Sequence, residues 1–349
     1  MTDLREYILY ELEHNSSPQP AAAVFGDLNY DTIYTSPPLE SRKEVFIADF
    51  TKTLAGAAGY VACGLARLGA EVTLVTELGD DEDGRALYEE IARRGVKRDS
   101  IRLLPGKRSP FTLIFTERSE ERPRQAATFL GTLRELGIDG VDYRALVARS
   151  NLVYSCSYFL LPKLREEIRF VFRSAREENV CTAYDANAGE GWENEKNLVT
   201  LIRNIYPHTD VVFLNEHEAF QLTGSGDRER SIRAISRTSC TVVLKLGAEG
   251  ALVRHRERLY RVSAFPLREK VQDTVGAGDA FQAAFLYFYL RKFPIEICAV
   301  MASANASSTL VHRGGTEGQL DVRGLAAAVR ACRVADRGNG VISIERGSL

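Results

Sequence analysis

The chain has 349 residues, of which 45% are hydrophobic, and it carries a formal net charge of −2 at pH 7. This is enough apolar material for a large buried core, and the balanced charge favours neither a nucleic-acid partner nor a membrane partner. The first residues are charged, and the most apolar run, residues 280–290, is too short to cross a bilayer, so a cytoplasmic location is expected.

The chain is predicted to contain one large domain with a short segment on either side. Residues 1–20 form a charged N-terminal extension, with a helix over residues 3–13 and a linker rich in Ser and Pro behind it. The domain covers residues 21–335. Residues 336–349 are predicted to be a C-terminal tail.

Short β-rich runs alternate with helical stretches along this domain. The predicted strands cover residues 21–26, 70–76, 111–116, 152–155, 180–184, 211–214 and 241–246. The predicted helices include residues 84–94, 163–178 and 197–206. The alternation predicts an α/β fold with a mostly parallel central sheet and helices on both faces.

Two segments depart from this alternation. Residues 30–53 and 111–129 are strand-like and have no helix between their strands. A parallel βαβ unit needs such a helix for its return crossing. These segments therefore predict a small β-rich lid beside the main sheet, and a homodimer contact through the lid is a further expectation.

The densest group of small and acidic residues is DTVGAGDAF at residues 273–281, just before the apolar run. Free backbone amides at Gly276, Ala277 and Gly278, together with the dipole of the following helix, favour a bound anion. Asp279 would either cap the helix or accept a proton from an attacking hydroxyl. Spacing alone leaves a capped glycine turn and a phosphate site equally open, but it matches neither a Walker A loop nor a dinucleotide fingerprint.

The same segment resembles the motif D-T-x-G-A-G-D-x-F of the PfkB/ribokinase-like carbohydrate kinases and matches it at every fixed position. The resemblance implies a ribokinase-like fold and a kinase that uses ATP and Mg²⁺ to phosphorylate a hydroxyl of a small sugar-like molecule. It implies that Asp279 is the catalytic base and that Gly276, Ala277 and Gly278 form the anion hole. Further matches, in the same order along the chain, extend the resemblance over residues 22–335.

Four residues in the first quarter of the chain are predicted to bind the substrate. Asn29 and Asp31 lie in a segment that resembles the family's G-x-x-N-x-D, where the Asp holds sugar hydroxyls; without the resemblance, Asp31 would be a turn-stabilising residue. Gly56 and Tyr60 lie in a segment that resembles the N-terminal family motif, in which Tyr60 replaces an Asn that contacts substrate. Tyr60 is therefore either a bulky wall residue or a phenol that stacks on, or bonds to, a different substrate.

The nucleotide side of the site is predicted from four further segments. Lys245, Gly247 and Gly250 lie in KLGAEG, which resembles a loop that approaches the ATP phosphates and ribose. Asn305 lies on a small-residue helix that resembles the one flanking adenine. Asn187 and Asn215 lie in segments similar to the family's D-x-N-x-R and N-x-x-E motifs, although Gly189 stands at the Arg position of the first.

Two carboxylates are predicted to serve metal ions. Glu218 ends the N-x-x-E match, which in similar proteins supports Mg²⁺ through water, and it would also complete a helix capping box with Asn215. Asp273 and the turn at residues 312–316 resemble a site for a monovalent cation such as K⁺.

Because Tyr60 and Gly189 depart from the family motifs, the identity of the substrate is left open. A sugar is favoured, and a nucleoside kinase of the same fold, with Tyr60 stacking on a base, is the alternative. A third possibility is a non-catalytic ligand-binding relative, against which the intact Asp279 and anion-hole glycines argue.

Overall fold

The computed structural model describes residues 2–35, 44, 46–47, 49–116, 125–187, 201–236, 241–267 and 269–347. None of the helices in these ranges is long and apolar enough to cross a membrane. The helix predicted over residues 197–206 falls partly outside them, and its described part, Leu201–Ile205, is π-helical.

The α-helices of these ranges are α1 (Arg5–His14), α2 (Ala57–Leu68), α3 (Glu82–Arg93), α4 (Tyr143–Ala148), α5 (Leu164–Glu177), α6 (Glu216–Thr223), α7 (Arg228–Ile235), α8 (Ala277–Leu290), α9 (Ile295–Thr309) and α10 (Val322–Arg330). The strands are β1 (Thr2–Asp3), β2 (Ala21–Phe25), β3 (Asn29–Thr35), β4 (Asp49–Ala55), β5 (Glu71–Gly79), β6 (Val96–Lys97), β7 (Ile101–Leu104), β8 (Phe111–Thr116), β9 (Gln125–Phe129), β10 (Leu152–Cys156), β11 (Cys181–Asp185), β12 (Val211–Asn215), β13 (Thr241–Lys245), β14 (Ala251–His255), β15 (Arg258–Val262), β16 (Cys332–Asp336) and β17 (Val341–Arg346).

Within the described residues, one sheet of thirteen strands has the order β1-β16-β17-β15-β14-β13-β12-β11-β10-β2-β5-β6, and β7 also pairs with β5. The strands from β13 to β6 run parallel to their neighbours. The other end is mainly antiparallel, because β13, β14 and β15 follow one another through short turns. The predicted α/β fold with a mostly parallel central sheet is confirmed.

Helices cover both faces of this sheet. In β2, Ala22 and Val24 face the core that contains α2, α8 and α9, whereas Ala23 and Phe25 face the core that contains α4 and α5. The sequence of a strand that is buried on both faces is a continuous run of apolar residues. The same rule applies to α8, which is buried along 280–288 because helices and sheet surround it.

A second sheet of four strands, in the order β4-β3-β8-β9, stands apart from the large one. β3 pairs parallel with β8 and antiparallel with β4, so the two predicted lid segments form one sheet. The predicted β-rich lid is therefore confirmed over residues 29–35, 49–55, 111–116 and 125–129. The remaining parts, residues 36–43, 45, 48 and 117–124, lie outside the described residues.

Polar contacts hold the lid over the neighbouring helix and turn. The Tyr30 hydroxyl donates to Glu90 on α3 at 3.1 Å, and Lys52 pairs with Asp83 at the start of the same helix. Arg313, in the turn that precedes α10, pairs with the lid residue Asp49 at 3.2 Å. The lid thus contacts both α3 and the turn before α10, and the space between the lid and residues 273–281 is the crevice.

The outer part of the lid carries exposed aromatic side chains. Phe50 on β4 and Phe129 on β9 are both largely exposed. A homodimer through the lid would cover such residues. The dimer itself stays a prediction.

The two ends of the chain lie against the domain. β1 pairs with β16, and Ile8 of α1 is fully buried in the core. β17, from the segment predicted as a tail, pairs with β15 and β16 in the large sheet. The division into extension, domain and tail stays a prediction.

Arg291 ties the segment behind α1 to the end of α8. Its buried guanidinium donates to the backbone carbonyls of Asn15 at 3.0 Å and Ser17 at 3.2 Å. In return, the side chains of Asn15 and Ser17 donate to the Arg291 carbonyl. The guanidinium also lies 5.5 Å from the centre of the Tyr287 ring, whose face attracts the charge.

Replacement of this residue, Arg291→Ala, should lower the free energy of unfolding by about 1–3 kcal/mol, because two partly buried carbonyls lose a charged donor. Urea unfolding followed by circular dichroism measures the change. Arg233→Ala is the matched control, since Arg233 is exposed and pairs with Glu229 one turn away, and it should change stability by less than about 0.5 kcal/mol. Equal, small losses in both variants would contradict the role given to Arg291.

Candidate active site

Polar side chains end three neighbouring parallel strands at the same edge of the large sheet. Asp185 is the last residue of β11, Asn215 of β12 and Lys245 of β13, and Asn215 lies directly opposite Lys245 in the strand register. Asp27 follows β2 at the same edge. Ligands of open parallel sheets bind at the carboxyl ends of the strands, so this edge is the expected position of a site.

The glycine-rich turn reaches this edge at the start of α8. Gly276 has a φ of 73°, and a Cβ there would lie 2.4 Å from the Cα of Gly315, so only glycine is accommodated. Asp273 accepts hydrogen bonds from the amides of Val275 at 3.0 Å and Gly314 at 3.1 Å. The turn is therefore held against the loop that precedes α10, and the first amides of α8 remain available to an anion.

Asp279 lies in the first turn of α8 and is half-buried. Burial raises the pKa of Asp279 to about 8; the ammonium of Lys245 acts in the opposite direction, whereas Asp185 and Asp27 add to the increase. A carboxyl group with a pKa near neutrality is suited to proton transfer. Such strongly shifted groups gather at functional sites.

Lys245 faces Asp279 from the end of β13. Its Nζ pairs with the buried Asp185 at 2.6 Å. Burial opposes the charge on Lys245, but Asp185, Glu218 and Asp279 hold its pKa above the usual value. Gln282, one turn after Asp279 on α8, donates to the same carboxylate of Asp185.

Asn29 and Asp31, both predicted to bind substrate, lie together at the start of β3. The Asn29 amide donates to Asp31 at 2.8 Å, and both residues are buried where the lid sheet begins. Asp31 lies opposite Thr53 on β4 and Thr112 on β8. Two polar side chains thus stand at the junction between lid and crevice.

Asp27, which was not among the predicted site residues, anchors this junction. Its carboxylate accepts bonds from the amides of Ala57 and Ala58 at the start of α2 and from the Ser157 hydroxyl at 2.9 Å. Gly56, with a φ of 97°, allows this approach, since a Cβ there would lie 2.5 Å from the Asp27 carbonyl oxygen. The sequence signal for this role was the position of Asp27 directly after Gly26, which ends the first predicted strand.

Tyr60 of α2 lies between the lid and the glycine-rich turn. Its ring belongs to an apolar cluster with Ala55, Ile114 and Val275 and packs on Gly315. Its hydroxyl is buried without a hydrogen-bond partner among the described residues. Burial raises the pKa of Tyr60, as do the nearby carboxylates, Asp31 foremost. An orphaned buried hydroxyl at this position is a candidate contact for a ligand.

A cavity of about 670 Å³ opens beside the start of α8. Lys245, Gly247 and Gly250, which were predicted to contact the nucleotide, line one side, and Ala277 and Gly278 line the other. The remaining wall is mostly apolar and contains Phe265, Leu267, Val271 and Leu310. A cavity with an anion-binding helix start at one end and apolar walls at the other fits a nucleotide.

Asn305 is not brought into this cavity. Its amide donates to the carbonyl of Ala280 at 2.8 Å and accepts from the amide of Leu320 at 2.8 Å, and the side chain is fully buried. On the same helix, Ser303 and Ser307 line the cavity instead. The assignment of Asn305 to the nucleotide is thus replaced by a packing role, which its local sequence could not reveal.

Asn187 follows β11 with a φ of 49°, and its backbone amide donates to the Asp185 carboxylate at 3.0 Å. Its role toward the nucleotide stays a prediction. The next residues, including Gly189, lie outside the described part of the chain. Asp185 and Gln282 are functional candidates that the sequence analysis did not select, although a single Gln in the apolar run of α8 was a signal.

Glu218 and Asn215 form the predicted capping box at the start of α6. The Asn215 side chain accepts from the Glu218 amide at 2.8 Å, and the Glu218 carboxylate accepts from the Asn215 amide at 2.6 Å. Among the described residues, no three metal-ligating side chains form a group. Mg²⁺ commonly takes only one or two protein carboxylates together with substrate phosphates, so this donor set fits an ion that binds with ATP. The metal roles of Glu218 and Asp273 stay predictions.

Known proteins are similar to this chain over most of its length. An uncharacterized sugar kinase of Archaeoglobus fulgidus is 29% identical over 73% of this chain and 97% of its own. The cytidine kinase of Thermococcus kodakarensis is 28% identical over 74% of this chain and 88% of its own. A ribokinase of Arabidopsis thaliana, solved with ribose and ATP, has a TM-score of 0.76 at 20% identity, over 90% of this chain and 99% of its own. This likeness confirms the ribokinase-like fold.

The profile described as pfkB family carbohydrate kinase matches residues 19–322. This range begins before β2 and ends at the start of α10, so it contains every segment that builds the crevice. The chain therefore belongs to the pfkB family of carbohydrate kinases and is a phosphotransferase that acts on a sugar hydroxyl.

Proposed function

We propose that the chain transfers the terminal phosphoryl group of ATP to a hydroxyl of a small sugar or sugar-like molecule, with Asp279 as the general base. One observation carries this proposal. Asp279 stands in the first turn of α8, three residues after the left-handed Gly276, so that its carboxylate and the first amides of the helix share one crevice. The amides of Gly276, Ala277 and Gly278 are the proposed anion hole for the phosphoryl group.

In this scheme the residues that bind the acceptor lie on the lid, and the base lies on α8. Asn29 and Asp31, held together at 2.8 Å, orient hydroxyls of the acceptor from the lid side. Asp279 takes the proton of the reacting hydroxyl as its oxygen bonds to phosphorus. The lid sheet, held over the crevice by Lys52 and Arg313, excludes water and so limits hydrolysis of ATP.

ATP is the proposed occupant of the cavity beside α8, with its base against the apolar wall of Phe265 and Leu267 and its phosphates near Gly278. Mg²⁺ bound with ATP would neutralise charge on the phosphate oxygens. Glu218 is the protein carboxylate proposed to support this Mg²⁺. Phosphoryl transfer depends mainly on positioning and charge neutralisation, which these groups supply.

A nucleoside is the second candidate acceptor, and the similarity to a cytidine kinase favours it. Stacking of Tyr60 on a base would require the ring to leave its cluster with Ile114 and Val275, where it is 4% exposed. The unpaired hydroxyl is the group of Tyr60 that a bound acceptor can reach with less rearrangement. A panel of sugars, sugar phosphates and nucleosides, assayed by coupled ADP release, separates the two candidates.

Removal of the proposed base tests the function directly. Asp279→Asn should lower kcat by a factor of about 10²–10⁴, because the acceptor hydroxyl loses its proton acceptor, while ATP binding changes little. Steady-state kinetics with the best acceptor of the panel, and calorimetry for ATP, measure the two effects. Asp227→Asn is the matched control, since Asp227 caps α7 and Asn caps a helix equally well. Near-normal turnover of the folded Asp279 variant would refute the assignment.

Substitution of Tyr60 tests the proposed choice of acceptor. The unmodified protein should act weakly on ribose and fructose, because Tyr60 occupies the position where similar kinases carry an Asn that contacts hydroxyls. Tyr60→Asn should raise kcat/KM for these sugars by about tenfold or more, since a hydrogen-bonding site favours hydroxylated ligands. Tyr60→Phe keeps the ring and separates the contribution of the hydroxyl. Efficient ribose or fructose phosphorylation by the unmodified protein, unchanged in Tyr60→Asn, would contradict the prediction.

A further inference from the structure

Lys245 is held by a chain of buried polar contacts that crosses the end of the sheet. Its Nζ lies 2.6 Å from Asp185, whose side chain is only 3% exposed. Asp185 also accepts from Gln282 on α8, and the Gln282 carbonyl oxygen accepts from the Tyr154 hydroxyl on β10 at 2.6 Å. Strands β10, β11 and β13 and helix α8 together therefore fix one ammonium group.

The ammonium points toward the proposed anion hole. A Cβ built on Gly278 would lie 3.6 Å from Nζ, in ordinary van der Waals contact, so the ammonium lies beside this residue of the turn. Lys245, Ala277 and Gly278 line the same cavity. The positive end of the α8 dipole and a positive side chain thus converge on one space, and only an anion is attracted by both.

An ammonium has three N–H donors, and one is used by Asp185. A lysine that served only to neutralise Asp185 would not need to reach the start of α8. The raised pKa of Lys245 keeps the charge present at neutral pH. The arrangement therefore offers a protonated donor beside the amides that face the phosphoryl group.

We infer that Lys245 is a catalytic residue, whose ammonium contacts the phosphoryl group during transfer, and that Asp185 and Gln282 position it. This inference rests on the proposed function. In the transfer, the acceptor oxygen bonds to the γ-phosphorus and its proton passes to Asp279. The bond from that phosphorus to the β–γ bridging oxygen breaks, and ADP leaves with the electron pair. Lys245 keeps its proton throughout and stabilises the charge that develops on the phosphoryl oxygens.

A double replacement separates this role from a structural one. Lys245→Met alone leaves the Asp185 carboxylate buried without its cation, so the single variant should lose stability as well as activity. Lys245→Met with Asp185→Asn removes both charges and should recover the melting temperature. If Lys245 contacts the phosphoryl group, kcat of the double variant stays about 10²–10³-fold below that of the unmodified protein. Recovery of kcat together with stability would overturn the inference.

The companion variants sharpen the result. Lys245→Arg keeps the positive charge, so its kcat should be higher than that of Lys245→Met. If Lys245 only filled space, its positive charge would not matter and no such recovery would be needed. Lys97→Met is the matched control, because Lys97 pairs with Glu71 on an exposed edge of the sheet, and its kcat should be unchanged. A loss in Lys97→Met as large as in Lys245→Met would overturn the inference.

Failure of the proposed function would be recognised separately. In that case the unmodified protein would transfer phosphate to no acceptor of the panel. Calorimetry then tests Lys245 without turnover, by comparing ATP with ADP in the unmodified and double-variant proteins. We expect the double variant to lose at least about tenfold in affinity for ATP while its affinity for ADP changes little. Equal changes for the two nucleotides would refute the contact with the terminal phosphoryl group.

Discussion

The ion pair between Lys245 and Asp185 organises the end of the sheet on which the candidate site depends. A charge removed from water is costly unless another charge and hydrogen bonds compensate it. Asp185 meets this requirement with Lys245, Gln282 and the Asn187 amide. Asp279 lies beside the same pair, and its burial, with Asp185 and Asp27 adding to the effect, raises its pKa to about 8 although the Lys245 ammonium opposes the rise. The pair thus sets the electrostatic environment in which Asp279 must work.

Backbone geometry brings the other parts of the site to this pair. Gly276 touches Gly315, and Asp273 bonds to Gly314, so the start of α8 and the loop before α10 form one unit. Tyr60 packs on Gly315 and on Ile114 of the lid. A movement of the lid would therefore act through Tyr60 on the glycine-rich turn, which carries Asp279.

Local sequence patterns were sufficient for the central parallel strands of the sheet, the lid and the glycine-rich turn. The strand runs and the DTVGAGDAF segment carry their information in neighbouring residues, and the structure confirms the fold they predicted. The contacts of Asn305 and Asp27 could not be predicted in this way, although the position of Asp27 directly after Gly26 was a signal. The partners of Asn305 are Ala280 and Leu320, and those of Asp27 include Ser157, all distant in the chain. Contacts of this kind exist only after the elements have packed.

The protonation of Asp279 in the ligand-free protein is the most direct test of this account. Its pKa in the folded chain is about 8, against 3.8 for an ordinary carboxyl, so unfolding releases a proton between these values and stability falls as pH rises through this window. Asp279→Asn removes this contribution. With Lys245, Asp185 and Asp27 unchanged, the melting temperature of the variant relative to the unmodified protein should increase steadily from pH 5 to pH 8.5. A difference that stays constant over this range would contradict the account.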